Sequence, residues 1–340
     1  MRYLFSVSHP AHVHLFKHLI WELEKNGHEV LILAREKDVT IQLMENYHLK
    51  YVLLGTASTT IPGYVKETLS RIYHCLRIIH TFHPNMVISQ MDPSLAIPSK
   101  ILRVPYICLA DSEPAKLMLN ITMPFVDKVY TPKSFRTKLG TKQITYNGYK
   151  ECAYLHPNWF SPDNSVLEQL GIKDGEKYIV VRFVAWQAHH DVGKHGIEDK
   201  MKIIQHLEKF GRVFVTSEKN IEEQLLPYQI TVDPTKIHDI LYYATLLVTD
   251  SQTMTTEAAL LGTPVIRYNS FVGEDDMGNF IELQKKYGLI FNLSKEEDIF
   301  DLSSELLSNI DLKRIWKEKK NTLWKEKIDL TKYLLAEILD

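Results

Sequence analysis

A chain of 340 residues is long enough for two domains of ordinary size, and its 45% hydrophobic and 24% charged content is that of a globular protein. A formal net charge of −2 leaves no basic footprint, which argues against nucleic acid as a partner. Three scattered cysteines, Cys75, Cys108 and Cys152, lack metal-ligand spacing and fit the reduced thiols of a cytosol; no apolar run reaches the roughly 18 residues of a membrane span.

The N-terminus reads as a strand, Tyr3 to Val7, and not as a signal peptide, because it meets His9 and Pro10 without a cleavable apolar core. Helical spacing of Leu15, Phe16, Leu19, Ile20 and Leu23 predicts a helix from Val13 to Lys25, closed by Asn26-Gly27. Strands follow at His28 to Ala34 and Tyr51 to Leu54. Next comes a long amphipathic helix, Val65 to Phe82, with its apolar side at Leu69, Ile72, Tyr73, Leu76 and Ile79. A strand at Asn85 to Ser89, a helix from Pro93 to Leu102, a strand at Pro105 to Ala110 and a helix around Ala115 to Pro124 continue the alternation. Lys128 to Tyr130 and Ile144 to Tyr146 close the first half.

Turn formers in Asn147-Gly148-Tyr149 and in His156 to Pro162 read as a linker. Beyond it, strands are expected at Tyr178 to Phe183, Arg212 to Thr216, Leu246 to Thr249, Val265 to Tyr268 and Leu289 to Asn292. Helices are expected at Lys200 to Phe210, Ile237 to Tyr243, Thr253 to Leu261, Lys295 to Leu307 and Leu312 to Ile338. Such alternation implies α/β architecture, with two Rossmann-like domains whose parallel sheets face a central cleft. The expected boundaries are 1–147 for the first domain and 148–325 for the second. A C-terminal helix, 326–340, would pack back on the first.

Ligands of such sheets sit beyond the carboxyl ends of the strands, so the residues after each strand carry the chemistry. The run Thr249-Asp250-Ser251-Gln252-Thr253-Met254-Thr255-Thr256-Glu257-Ala258-Ala259-Leu260-Leu261-Gly262-Thr263-Pro264 reads as strand, turn, helix and stop. The helix start points N–H groups and a positive dipole end at the crevice, a seat for a diphosphate among Ser251, Gln252 and Thr253, with Glu257 placed for a ribose hydroxyl pair. Many α/β turns look like this and bind nothing, and that reading stays open.

After the first strand, Ser8-His9-Pro10-Ala11-His12-Val13-His14 brings three imidazoles together. Helical spacing puts His12 and His14 on divergent faces, so no metal is expected, and His12 is read as a cleft base or donor beside a substrate-binding His14. Capping by a histidine of its own helix is the alternative. Asp92, Asp111 and Glu113 also follow strands, where neighbouring carboxylates can divide acid and base roles or simply cap helices. The segment Val184 to Gly196 holds His190, to protonate a leaving group, and Lys194; with Arg182 it can neutralise a diphosphate. Asp275, Asp276 and Asn279 suit sugar hydroxyls, and their acids lack the interleaving of a calcium loop. A solvated acidic loop is the rival there.

The segment T-D-S-x-x-x-x-x-E-A-x-x-L-G-x-P-V resembles the nucleotide-diphosphate segment of GT-B glycosyltransferases and of non-hydrolysing UDP-N-acetylglucosamine 2-epimerases, with Gln252-Thr253 where the epimerases usually carry a Gly pair. Asp92 resembles the acid of the epimerases' G-D-T stretch, and Asp111 falls where their V-E-A-G glutamate would. His9-Pro10-Ala11-His12-Val13-His14, Gly148-Tyr149-Lys150-Glu151, Tyr154-Leu155-His156-Pro157, Trp186 to His190 and Arg267 to Asn279 together resemble the family called domain of unknown function 354. The resemblance implies a GT-B-like fold and a cytoplasmic enzyme of surface-polysaccharide synthesis. It would transfer sugar from a nucleotide-diphospho-sugar, a UDP-N-acetylhexosamine, without cofactor or metal. The acceptor is unknown; a growing glycan or a lipid-linked acceptor fits, the latter met by peripheral contact with the membrane. Epimerisation at sugar C2, using Asp92, Asp111 and His190, is the second reading. A nucleotide-sugar-binding protein without turnover is the third.

Overall fold

The computed structural model describes residues 1–56, 61–184, 196–217, 222–269, 272–273 and 276–339. The chain divides into two compact units, Met1–Trp159 with Ile328–Asp340, and Phe160–Lys327.

In the first unit the strands are β1 (Arg2–Val7), β2 (Glu29–Glu36), β3 (Tyr51–Thr56), β4 (Met86–Gln90), β5 (Tyr106–Leu109), β6 (Lys128–Pro132) and β7 (Gln143–Tyr146). They form one parallel sheet in the order β3-β2-β1-β4-β5-β6-β7. Helices cover both faces, so the central strands are apolar runs without alternation: every residue of β1 after Arg2 is buried. The helix Pro10–Lys25 begins with His9 as its cap, whose Nδ1 accepts the Ala11 N–H at 3.2 Å, and with proline in the first turn. The long helix Ile61–Phe82 buries Arg71, Cys75 and Ile79. Leu69 and Tyr73, expected on its apolar side, are turned to solvent instead.

The second unit carries β8 (Tyr178–Phe183), β9 (Arg212–Ser217), β10 (Leu246–Thr249), β11 (Val265–Tyr268) and β12 (Ile290–Leu293). All pair in parallel, in the order β12-β11-β10-β8-β9. Each sheet therefore reverses its winding once. In the first the reversal lies between β1 and β4, in the second between β8 and β10. Crevices for ligands open at such points.

Several features differ from the sequence expectation, the unforeseen helices Ser165–Gln169 and Gly278–Lys285 among them. A short helix, Thr40–Asn46, was not foreseen; it is brief and weakly patterned. Residues 148–159, assigned to the second domain, belong to the first unit, where the helix Cys152–Leu155 is wholly buried. The single helix expected over 312–338 is two, Leu312–Trp324 and Leu330–Leu339. Asp329 explains the break. Its Oδ1 accepts the Lys332 N–H at 3.0 Å and the Trp159 Nε1–H at 2.7 Å, capping a new helix and fastening it to the first unit. Thr331 Oγ1 donates to the Ala153 carbonyl at 2.7 Å, and Tyr130 donates to Glu337 at 2.7 Å.

Candidate functional site

At the reversal of the first sheet the residues after β1, β4, β5 and β7 meet. Asp92 caps the helix Pro93–Ile101, its Oδ1 accepting Ser94 N–H at 3.0 Å and Ser94 Oγ–H at 2.6 Å. Its Oδ2 accepts from Arg71 at 2.6 Å and from Ser6 at 3.0 Å. Burial would raise this carboxyl, but Arg71 and the serine bonds outweigh it and hold Asp92 below the ordinary carboxylate range. It is an ionised, fully coordinated group.

Asp111 stands differently. Its partner is Lys150, at 2.7 Å, and both side chains keep some access to solvent. Glu113 accepts the Arg136 N–H at 3.1 Å. Half-buried His12 receives the Ser8 backbone N–H on Nδ1 at 3.4 Å, so its ring proton lies on Nε2 and the ring presents a donor. Burial first, then the charge of Lys150, push its pKa down to about 4 against the opposing pull of Asp111 and Asp92. His12 is thus neutral at neutral pH. His14 is buried between Tyr47 and Tyr154, with ring centroids 5.8 and 5.5 Å away, and takes part in the core rather than in this group. Among the described residues no cluster of His, Cys, Asp and Glu is placed to hold a metal ion.

Lys150 was missed as a site residue. It lies four positions beyond Tyr146, the last residue of β7, which is the signal that could have found it.

In the second unit the helix Gln252–Leu261 starts at the reversal between β8 and β10. Ser251 caps it, Oγ accepting the Met254 N–H at 3.4 Å, and Gly262 ends it in a left-handed conformation at φ 82° that a side chain would resist. Half-buried Gln252 and Thr253 head the helix, where N–H groups have no intrahelical acceptor. Asp250 is turned inward, accepting the Val184 N–H at 2.8 Å and so tying the ends of β8 and β10 together.

A polar layer crosses the sheet, and of the expected residues Arg182 belongs to it. Thr216, Arg182, Thr249, Arg267 and Asn292 are in register on β9, β8, β10, β11 and β12. Arg182 donates to Thr216 at 2.9 Å, and Arg267 to Asn292 at 2.9 Å. Arg267, completely buried, also grips Asp276 through two bonds of 2.6 and 3.2 Å and lies 3.8 Å from the centre of the Phe280 ring. Asn279 donates to Thr256 at 3.5 Å. Glu257 is buried and bonded to His238 at 2.9 Å. His190, Lys194 and Asp275 lie outside the described residues.

Two parallel sheets of these topologies make an α/β protein of the GT-B-like class. A crystal structure of UDP-GlcNAc 2-epimerase from Neisseria meningitidis, bound to UDP-GlcNAc, matches with a TM-score of 0.67 at 14% identity, covering 100% of this chain and 99% of that one. The spinosyn forosaminyltransferase SpnP matches with a TM-score of 0.67 at 13% identity, over 100% of both chains. At such identities the likeness is one of fold. In sequence, an uncharacterised protein of Methanocaldococcus jannaschii is 26% identical over 274 residues, 77% of this chain and 80% of that protein. The chain belongs to the family described as protein of unknown function DUF354, whose model matches residues 4–281.

Proposed function

We propose that this protein is a glycosyltransferase that moves sugar from a nucleotide-diphospho-sugar, a UDP-N-acetylhexosamine, to an acceptor hydroxyl in surface-glycan synthesis. The observation that carries the reading is the helix Gln252–Leu261, whose N-terminus opens at the winding reversal of the second sheet. Its dipole and leading N–H groups suit a diphosphate in the ground state and the greater charge of the departing nucleoside diphosphate. Structures of similar fold solved with UDP-GlcNAc or UDP support this donor class.

In the first unit Asp111 takes the acceptor's hydroxyl proton as the acceptor oxygen bonds to sugar C1 and the bond from C1 to the diphosphate oxygen breaks. Lys150, at 2.7 Å, pairs with that carboxylate and holds it in place for the acceptor hydroxyl. Neutral His12 donates from Nε2 to a substrate oxygen. Asp92 does not enter the reaction, because all its hydrogen bonds are internal and Arg71 holds it ionised. That argues against a C2 epimerisation in which Asp92 cycles a proton.

The test is incubation with UDP-N-acetylglucosamine in deuterated water, followed by proton NMR and mass spectrometry. Saturation transfer from uridine and sugar, with no deuterium entering C2 and with UDP released only once an acceptor is supplied, supports transfer. Deuterium at C2 with a manno epimer and no acceptor establishes the epimerase and overturns it. Absence of any contact removes the UDP-sugar donor.

A further inference from the structure

The long helix Ile61–Phe82 has an outer face that the first unit leaves unpartnered. Val65, Leu69 and Tyr73, spaced by four, are 53, 62 and 58% exposed and form one apolar row. Beside the helix runs β3, an edge strand, with Val52 and Leu53 also exposed. The charges on this face have one sign. Lys66 and Arg77 are exposed, with His74 and His80, and the helix's single acid, Glu67, is turned to Arg35 at 2.6 Å. The Arg77 guanidinium lies 6.0 Å from the centre of the Tyr73 ring, so the charge flanks the apolar row directly.

We infer that this face is a docking surface for an anionic lipid bilayer. A row of large apolar side chains bordered by basic ones is how a helix lies in a membrane interface. A second copy of the chain is disfavoured, since a two-fold contact would set Lys66 and Arg77 against their own like charges. A polyanion without an apolar phase gives Val65, Leu69 and Tyr73 nothing to contact. The helix is held to its unit by the buried Arg71–Asp92 pair, at 2.6 Å, so it docks as part of the body and does not insert alone.

This rests on the transferase reading in one respect: a lipid-linked acceptor would be reached on that surface. Vesicle binding itself needs no donor, so the two can fail separately. The full chain is sedimented with phosphatidylcholine vesicles and with vesicles that also contain phosphatidylglycerol. Binding is expected only to the second, falling with added salt. Leu69→Ser with Tyr73→Ser should weaken it at least about tenfold, and Lys66→Glu with Arg77→Glu about as much, with circular dichroism unchanged. Failure of the wild type to bind, or full binding by both double variants, overturns the surface. So does sedimentation showing a dimer that those variants dissociate. Transfer to a water-soluble acceptor is measured alongside and is expected to be unaffected by either double variant.

Discussion

The winding reversals of the two sheets are built from opposite materials. At the first, titratable groups stand close together with some solvent access: His12, Asp111 and Lys150. At the second, among the described residues, the charged groups Asp250, Glu257, Arg267 and Asp276 are buried with internal partners, Arg182 is half-buried, and a helix start faces outward. The first arrangement can exchange protons. The second can hold an anion but has little freedom to change its own charge.

The comparison breaks most readily at Arg267. Arg267→Leu leaves the carboxylate of Asp276 buried without its guanidinium partner, and should cost about 3–5 kcal/mol in urea unfolding. If the loss is a few tenths instead, the second reversal is not rigid in the sense argued. Asp111→Asn tests the other side. It should lower the rate of acceptor-dependent transfer about a hundredfold or more while shifting the unfolding midpoint little, because its Lys150 partner retains solvent access. Equal losses of stability and turnover would make Asp111 a structural group like Asp92.

A third prediction concerns pH. His12 titrates near 4 in the folded protein and near 6.5 in an unfolded chain, so the unfolded state binds the proton first as pH falls. His12 therefore contributes stability that is complete above about pH 6.5 and is lost between there and 4, about 2 kcal/mol of it by pH 5. Lys150→Met should raise the His12 pKa in a histidine NMR titration and narrow that window. An unmoved value would mean that burial alone sets it.

How far this was readable beforehand follows from range. The strands and the helix with its Ser251 cap and Gly262 stop are local patterns, and hydrophobic runs, cap residues and glycine placed them within a residue or two. The roles of the charged groups were not local. Asp92 looked like a candidate acid until Arg71, 21 residues earlier, was seen to close its oxygen, and the reading of Glu257 as a ribose ligand carried no sign of His238, 19 residues earlier, on its carboxylate. Arg267 and Asp276 are only nine apart, yet nothing in their spacing says that both are buried. Partners that meet across a sheet carry no periodic signal, whereas the edge on which they meet does.

The smallest effect sharpens the comparison most. Ser251 caps its helix through a bond of 3.4 Å, long for such a contact, so Ser251→Ala should cost about 0.5–1 kcal/mol of stability. If the diphosphate is held chiefly by leading N–H groups and the helix dipole, donor affinity should fall only a few fold, read by calorimetry with UDP. The N–H groups of Gln252 and Thr253 remain in the variant, and only the cap that orients them is weakened. A hundredfold loss with the same small change in stability would assign the anion to the Ser251 hydroxyl itself. The second reversal would then be a side-chain site, and its contrast with the first would lie in which side chains are offered, not in whether side chains are used.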